Sequence, residues 1–328
     1  MKRWIVVLVL FAVALTGGAL GGAAWWRHAV EQPGPLPAGK AVLVPHGGTD
    51  TLAQALAADG VIDRPLLFKA AVWASREQGP LRAAEFAFPP HASLTQVLAI
   101  LRTARPVEHH VTIPEGLTAQ QIRLVLAHAE AMNGPLPVFA EGSVLPETYS
   151  YTFGTPPASV IARAQAAMDK TLAAAWANRA SNLPLGSAHE ALVLASIVER
   201  ETARPEERPR VAAVYLNRLR QGMRLQADPT VVYAASGGLG VLDHGLTKAE
   251  LGKEDPFNTY RNAGLPPSPI CSPSVASLEA VVHPAASDEL YLVADGTGGH
   301  AFSRTLETHE AAVRQRTLLP QGSHGSPD

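Results

Sequence analysis

The stretch LASIVERETARPEERP, residues 194–209, is where this chain most plainly carries chemistry. The apolar run from Ala191 to Val198 reads as a buried helix, yet it leads straight into Glu199, Arg200 and Glu201. A carboxyl pressed against apolar neighbours resists ionisation, so it is paired, kept protonated or put to work. On a helical wheel of about 100° per residue, Leu192, Ala195, Ser196 and Glu199 share one stripe, whereas Glu201 points about 200° away and lies near Glu190. The small residues of that stripe leave room for a ligand, which makes Glu199 the expected catalytic acid. A carboxylic acid held protonated near neutral pH can donate to the leaving oxygen of a glycosidic bond. The competing reading makes Glu199 half of a buried ion pair with Arg218 or Arg224.

Further polar residues follow at positions suited to binding. RPRVAAVYLNRLRQG spaces Val211, Val214, Tyr215 and Leu219 as a helix stopped by Gly222, with Asn217 on its face. LQADPTVVYA predicts Asp228 as an N-cap with Pro229 at the first helical position, placing Gln226 and Asp228 on a short loop. FNTYRNAGLPPSPI is a second polar loop. Tyr233, Asn258 and Tyr260 have side chains suited to line a ligand cleft; Asn217 and Gln226 add amides that can bind polar groups. His300 and His309 complete the set. Each has an ordinary alternative: a helix cap for Asp228, satisfied backbone groups for the amides, loop or core packing for the aromatics.

No metal or other cofactor is expected. His109 and His110 are adjacent in an extended stretch and so face opposite sides. Cys271, the single cysteine, excludes an internal disulfide and a cysteine-type zinc cluster.

The elements that position these residues fall into a mixed α+β order. After Lys2 and Arg3 the chain is uncharged from Trp4 to Trp26, 23 residues, enough at ~1.5 Å per residue to cross a ~30 Å hydrocarbon layer. Tryptophans at both ends and basic residues before it predict a membrane helix over 1–28 with its N-terminus inside and the rest of the chain outside the cytoplasm. A cleaved signal peptide is the alternative, with Ile5 to Leu15 as its apolar core. Residues 29–40, rich in proline and glycine, read as an extended spacer. Over 41–105, strand, helix (Asp50 as N-cap, Gly60 as stop), helix (Pro65 to Arg76) and strand form a compact α+β module. Another helix, Ser93 to Arg102, closes it. A connecting α+β segment spans 106–150. A mainly helical domain with a hairpin at YLVADGTGGHAFS spans 151–318, and 319–328 reads as a loose tail.

Composition narrows the function class. The 328 residues are 47% hydrophobic, ample for a real core, and 27 basic against 29 acidic residues give a net charge of −2. Without a basic stripe, nucleic acid is not an expected partner.

Four segments in order, LASIVERET, VAAVYLNRLRQGMRLQADPTVVYA, FNTYRNAGLPPSPI and YLVADGTGGHAFSRTLETHE, resemble the YceG-like (MltG) endolytic murein transglycosylases. The resemblance covers roughly 40–318. It implies a single-pass bacterial inner-membrane protein with a LysM-like subdomain and a periplasmic catalytic domain that cuts nascent peptidoglycan strands internally, leaving 1,6-anhydro ends. Peptidoglycan strands, the inner membrane and peptidoglycan synthases are the partners it implies. It assigns the catalytic acid to the first Glu of the motif, Glu199. Phe257, where tyrosine is common, and PICSPS around Cys271 depart from the pattern and put loop contacts in question. Two rivals remain: a membrane-anchored glycan-binding scaffold without activity, and a muramidase hydrolase using two carboxylates.

Overall fold

A computed structural model describes residues 2–318, so the tail expected over 319–328 lies outside the described residues. The chain divides into two compact units, Met1–His109 with Thr152–Gly154, and His110–Tyr151 with Thr155–Asp328.

The first unit opens with α1 (Lys2–Glu31), whose segment Val7–Glu31 is long and apolar enough to cross a membrane. The helix does not give way to a spacer at residue 29. Its last turns pack Trp26 and Val30 against the core of the unit and bury Ala29, and the following residues stay on that surface. Gly34 donates its N–H to His91 O at 3.1 Å, His91 N–H donates to Leu36 O at 2.7 Å, and Leu36 is buried. A Cβ at Gly34 would meet Ala92 O at 2.2 Å, so this glycine serves a close backbone approach. The prolines and glycines expected to make a standoff therefore make a tight wrap.

Strand β1 (Lys40–Val44) leads through α2 (Thr49–Ala58) and α3 (Pro65–Ala74) to β2 (Ala84–Phe88), which pairs antiparallel with β1, Val42 opposite Phe86. The predicted N-cap Asp50 lies instead in the first turn of α2 behind Gly48, and pairs with Lys69 at 2.7 Å. Helix α4 (Leu94–Thr103) begins with a capping box between Ser93 and Gln96, then lays Val97, Leu98 and Leu101 on Phe68, Phe86 and Phe88.

In the second unit, strands β3 (Glu108–Thr112) and β4 (Thr148–Thr152), with α5 (Ala119–Ala127) and α6 (Pro157–Ala177), enclose a core of Ile113, Ile122, Tyr149, Val160 and Ile161. Helix α7 (Ala188–Glu201) is started by Ser187, whose hydroxyl accepts from Glu190 N–H at 3.2 Å. All eight residues from Ala191 to Val198 are buried, which makes α7 a central helix, apolar on every side. It packs against α6, α8 (Arg208–Arg220), α9 (Asp228–Ala235) and α11 (Val275–Val282), with the short α10 (Lys248–Gly252) between the last two in the chain. Strands β5 (Tyr291–Ala294) and β6 (His300–Ser303) pair antiparallel, Ala294 opposite His300, and α12 (Leu306–Leu318) packs on them.

Candidate active site

Because α7 is buried on all sides from Ala191 to Val198, the polar chemistry of its second half emerges at its C-terminal turn, where Glu199, Arg200 and Glu201 follow the buried run. Arg200 ties loops together, donating to Gly116 O at 3.2 Å and Gly240 O at 2.6 Å. The two glutamates go to contrasting surroundings.

Glu199 is fully engaged. Its Oε1 accepts from Arg208 Nη2 at 3.1 Å, and its Oε2 accepts from both the backbone N–H (2.9 Å) and the hydroxyl of Ser274. The side chains of Glu199 and Arg208 are 5% and 10% exposed, and Glu115 lies 3.8 Å from the same guanidinium. Arginine on one oxygen and a backbone amide and hydroxyl on the other thus occupy the carboxyl expected to serve as the acid. The buried ion-pair alternative holds in kind, but the partner is Arg208 and not Arg218 or Arg224. Ser274 is the N-cap of α11, so Glu199 also bolts α7 to α11 and α8.

Glu201 is the opposite case. Burial raises its carboxyl above the ordinary value; the Tyr215 hydroxyl, donating to Oε2 at 2.7 Å, lowers it, the charge of Asp228 raises it, and His300 and Arg218 lower it, leaving a net rise. It also ends its helix, where the negative pole of the backbone dipole disfavours a carboxylate. Tyr215 is buried, and its phenol is driven well above its usual range by that burial and by Glu201. Arg218, also buried, donates to Leu290 O and Leu225 O, both at 2.6 Å.

Asp228 does not cap α9: the cap residue is Ala227, and Asp228 Oδ1 instead accepts from the Tyr260 hydroxyl at 2.6 Å. The pairing is built by buried threonines. Thr259 Oγ1 lies 2.9 Å from Thr230 Oγ1 and accepts from Ala227 N–H at 3.0 Å, locking the start of α9 to the 258–260 loop. Burial, Asp228 and Glu201 all push the Tyr260 phenol up. Gln226 sits just ahead with an exposed side chain and a left-handed backbone, φ 48°, between buried Leu225 and Ala227.

His300 Nδ1 lies 2.8 Å from Glu207 Oε2, and its backbone N–H donates to Glu207 Oε1 at 3.1 Å. Burial alone would raise Glu207, but the His300 ring, the His300 N–H and the Thr202 hydroxyl outweigh it and hold the carboxyl below its usual value. His309, by contrast, stacks on Tyr291 at 5.2 Å.

Three expected binders are spent elsewhere. Asn217 Nδ2 donates to Ser287 O (2.8 Å) and Glu289 O (3.0 Å), while its Oδ1 accepts from Arg220. Buried Asn258 donates to three carbonyls, Glu250, Leu251 and Lys253, and accepts from Tyr260 N–H, so it knits its own loop. The Tyr233 hydroxyl donates to Glu141 at 3.3 Å and its ring packs on Phe257 at 4.8 Å. Cys271 is buried, donates to Ser196 O at 3.3 Å, and burial keeps its thiol protonated. Among the described residues, no group of three or more His, Cys, Asp or Glu side chains gathers as a metal site.

The structure thus gathers Glu201, Tyr215, Arg218, Asp228, Tyr260 and His300. Sequence reasoning missed Glu201, Tyr215 and Arg218 as site residues. The available signal for Glu201 was the helix stop at Thr202 to Pro205, which makes it the residue that clears the core. Chemically, the group offers a carboxyl biased toward its protonated form, a phenol bound to it, and a second carboxylate held by another phenol.

Residues 42–315 match the YceG-like family. A segment of 126 residues is 40% identical to the endolytic murein transglycosylase of Bacillus subtilis, covering 38% of this chain and 34% of that one. A 182-residue segment is 36% identical to the endolytic murein transglycosylase of Streptococcus pneumoniae D39, covering 53% and 32%. The chain therefore spans about a third of the length of these curated relatives. The crystal structure of a yceG-like protein from Listeria monocytogenes is similar over 83% of this chain and 98% of its own, with 27% identity and a TM-score of 0.52.

Proposed function

The chain belongs to the YceG-like family, and from that premise we propose that it is a membrane-anchored lytic transglycosylase cleaving peptidoglycan strands internally, with Glu201 rather than Glu199 as its acid. The observation that carries the choice of acid is the environment of Glu201: a carboxyl whose burial favours the protonated form, at the end of the central helix, beside Tyr215 and Asp228. The substrate class is supported by the two endolytic murein transglycosylases to which the chain is similar.

In this reading Glu201 protonates the oxygen bridging muramic acid C1 to the next sugar, and the C1–O bond breaks toward an oxocarbenium ion. The resulting Glu201 carboxylate takes the proton of the same ring's 6-hydroxyl as O6 closes on C1. The products are a 1,6-anhydro-muramic acid end and a free 4-hydroxyl, with no water consumed. Tyr215 holds the carboxyl in place through both proton transfers. Asp228, kept in position by Tyr260, contributes negative charge that raises Glu201 and favours the developing cation. Helix α1 serves as the anchor in the inner membrane, with the chain after it on the periplasmic side, and the β1–α2–α3–β2 module, LysM-like in its order, holds the glycan. Cutting nascent strands beside the synthases would end their elongation.

A second reading has one observation behind it: Asp228 lies within electrostatic reach of Glu201, as the partner carboxylate of a hydrolase would. Mass spectrometry of digested strands decides. Anhydro ends support the transglycosylase; reducing ends, heavier by one water, support the hydrolase; binding without cleavage leaves an inactive scaffold.

A further inference from the structure

Helix α3 lacks the polar outer face that a surface helix normally shows. Its buried side presents Phe68 and Ala71 to the core, and its exposed positions are Leu66, Ala70, Trp73 and Ala74, with Leu66 76% and Trp73 70% exposed. These four recur at helical spacing, so they form one uncharged stripe. Lys69 stands at its flank, paired with Asp50, and Arg76 lies over the Trp73 ring at 4.7 Å. A helix apolar on both faces is expected to be covered on both.

The position of this stripe along α1 identifies its cover. The uncharged run of α1 ends at Trp26, and Arg27 is the first charged residue after it. The unit grips the same helix at once: Trp26 and Val30 pack on its core, and Thr95 donates to Val30 O at 3.3 Å. One residue past α1, Gln32 Oε1 accepts from Arg64 Nη2 at 3.0 Å, and Arg64 immediately precedes α3. From Trp26 to Gln32 is about 9 Å at ~1.5 Å rise per residue, close to the ~5–8 Å of headgroup on each side of a bilayer. The start of α3 is therefore held at headgroup height by a helix that emerges unbroken from the hydrocarbon.

We propose that the Leu66, Ala70, Trp73 and Ala74 face of α3 docks on the headgroup layer of the membrane in which α1 is inserted. The unit then has two points on one bilayer, a spanning helix and an interfacial helix, with tryptophan and arginine side by side at the depth each favours. Two points fix the tilt of the unit, which a single helix would leave free. This rests on α1 being an anchor, and the test separates the two.

The full chain, carrying Trp73 as its sole tryptophan (Trp4, Trp25, Trp26 and Trp176→Phe), is reconstituted into phosphatidylglycerol/phosphatidylethanolamine vesicles with a nitroxide on the lipid headgroup. Flotation reports the anchor; Trp73 fluorescence reports the docking. In floated vesicles the headgroup nitroxide should quench Trp73 by half or more and aqueous iodide should reach it poorly. Ala70→Glu, a change at an exposed position, should reverse both while the chain still floats and keeps its circular dichroism. Vesicles that float with Trp73 open to iodide and untouched by the nitroxide overturn the docking alone. A chain that fails to float overturns the anchor, and the docking with it.

Discussion

Glu199 and Glu201 stand two residues apart on one helix and end among different partners. Glu199 meets the Arg208 guanidinium at 3.1 Å, whereas Glu201 accepts from the Tyr215 hydroxyl at 2.7 Å. Burial raises the carboxyl of Glu201 and favours its protonated form. Bolting three helices together through Glu199 holds the last turn of α7 rigid, and that rigidity is what a positioned acid two residues on requires.

The glutamine variants of the two should therefore fail differently. Glu201→Gln removes the group that both donates the leaving-group proton and accepts that of the 6-hydroxyl, and should lower strand cleavage by about 10²–10⁴-fold while leaving the unfolding midpoint near that of the parent. Glu199→Gln strips Arg208 of its buried partner and should cost about 2–3 kcal/mol, less than the ~3–5 of a wholly buried pair because Glu115 remains. Cleavage assays and denaturant melts on both proteins check this. A folded Glu201→Gln that still cuts at a tenth of the parent rate would return the acid to Glu199.

The pH profile follows from the forces on Glu201. Cleavage needs the protonated acid, so activity should fall as pH rises through its raised value. Asp228→Asn removes a charge that raises Glu201 and should move that alkaline limb to lower pH; Tyr215→Phe removes a hydrogen bond that lowers it and should move the limb higher. The profile of kcat/KM against pH shows both shifts. Asp228 caps nothing, so its asparagine variant should melt close to the parent.

How far the sequence reveals this arrangement depends on whether the information is local. The βααβ order of the first unit, the capping box at Ser93 and the helices around the site are written in periodicity and turn residues within a few positions. The direction of the acid is not. A wheel gives a meaningful stripe only where one side of a helix faces solvent, and α7 is buried on every side from Ala191 to Val198, so small-residue spacing carried no information about its open end. Likewise Asp228 before Pro229 has the signature of a cap, and only the Thr230 and Thr259 pairing, 29 residues apart, shows that Tyr260 takes its oxygen. The wrap of Gly34 and Leu36 was hidden for a related reason, since proline and glycine suit a spacer and a tight path equally well.

Glu207 should leave a mark on stability rather than on the acid limb of catalysis. Its folded carboxyl lies below the ordinary value, so its contribution is complete above the unfolded value near 4.5 and is lost as pH falls through the depressed one. Glu207→Gln should lower the melting temperature at pH 7 by about 2–4 °C, the size of ~1 kcal/mol in a domain of this length, with the difference narrowing at pH 3. Thermal melts at the two pH values measure it. An equal loss at both would mean that Glu207 acts through shape alone.

Gln226 joins a conformational cost to an exposed amide beside Asp228. With φ at 48° a non-glycine residue is held about 1 kcal/mol above glycine in the same place, so Gln226→Gly should raise stability slightly if the backbone is all that matters. If the strain serves to aim the amide at a sugar hydroxyl or acetamido group, the same variant should be as stable or more so and yet show KM for glycan strands raised several-fold, with kcat less affected. Steady-state kinetics beside a thermal melt separate the two outcomes. Unchanged KM with a higher melting point would leave Gln226 as a strained turn residue and remove it from the site.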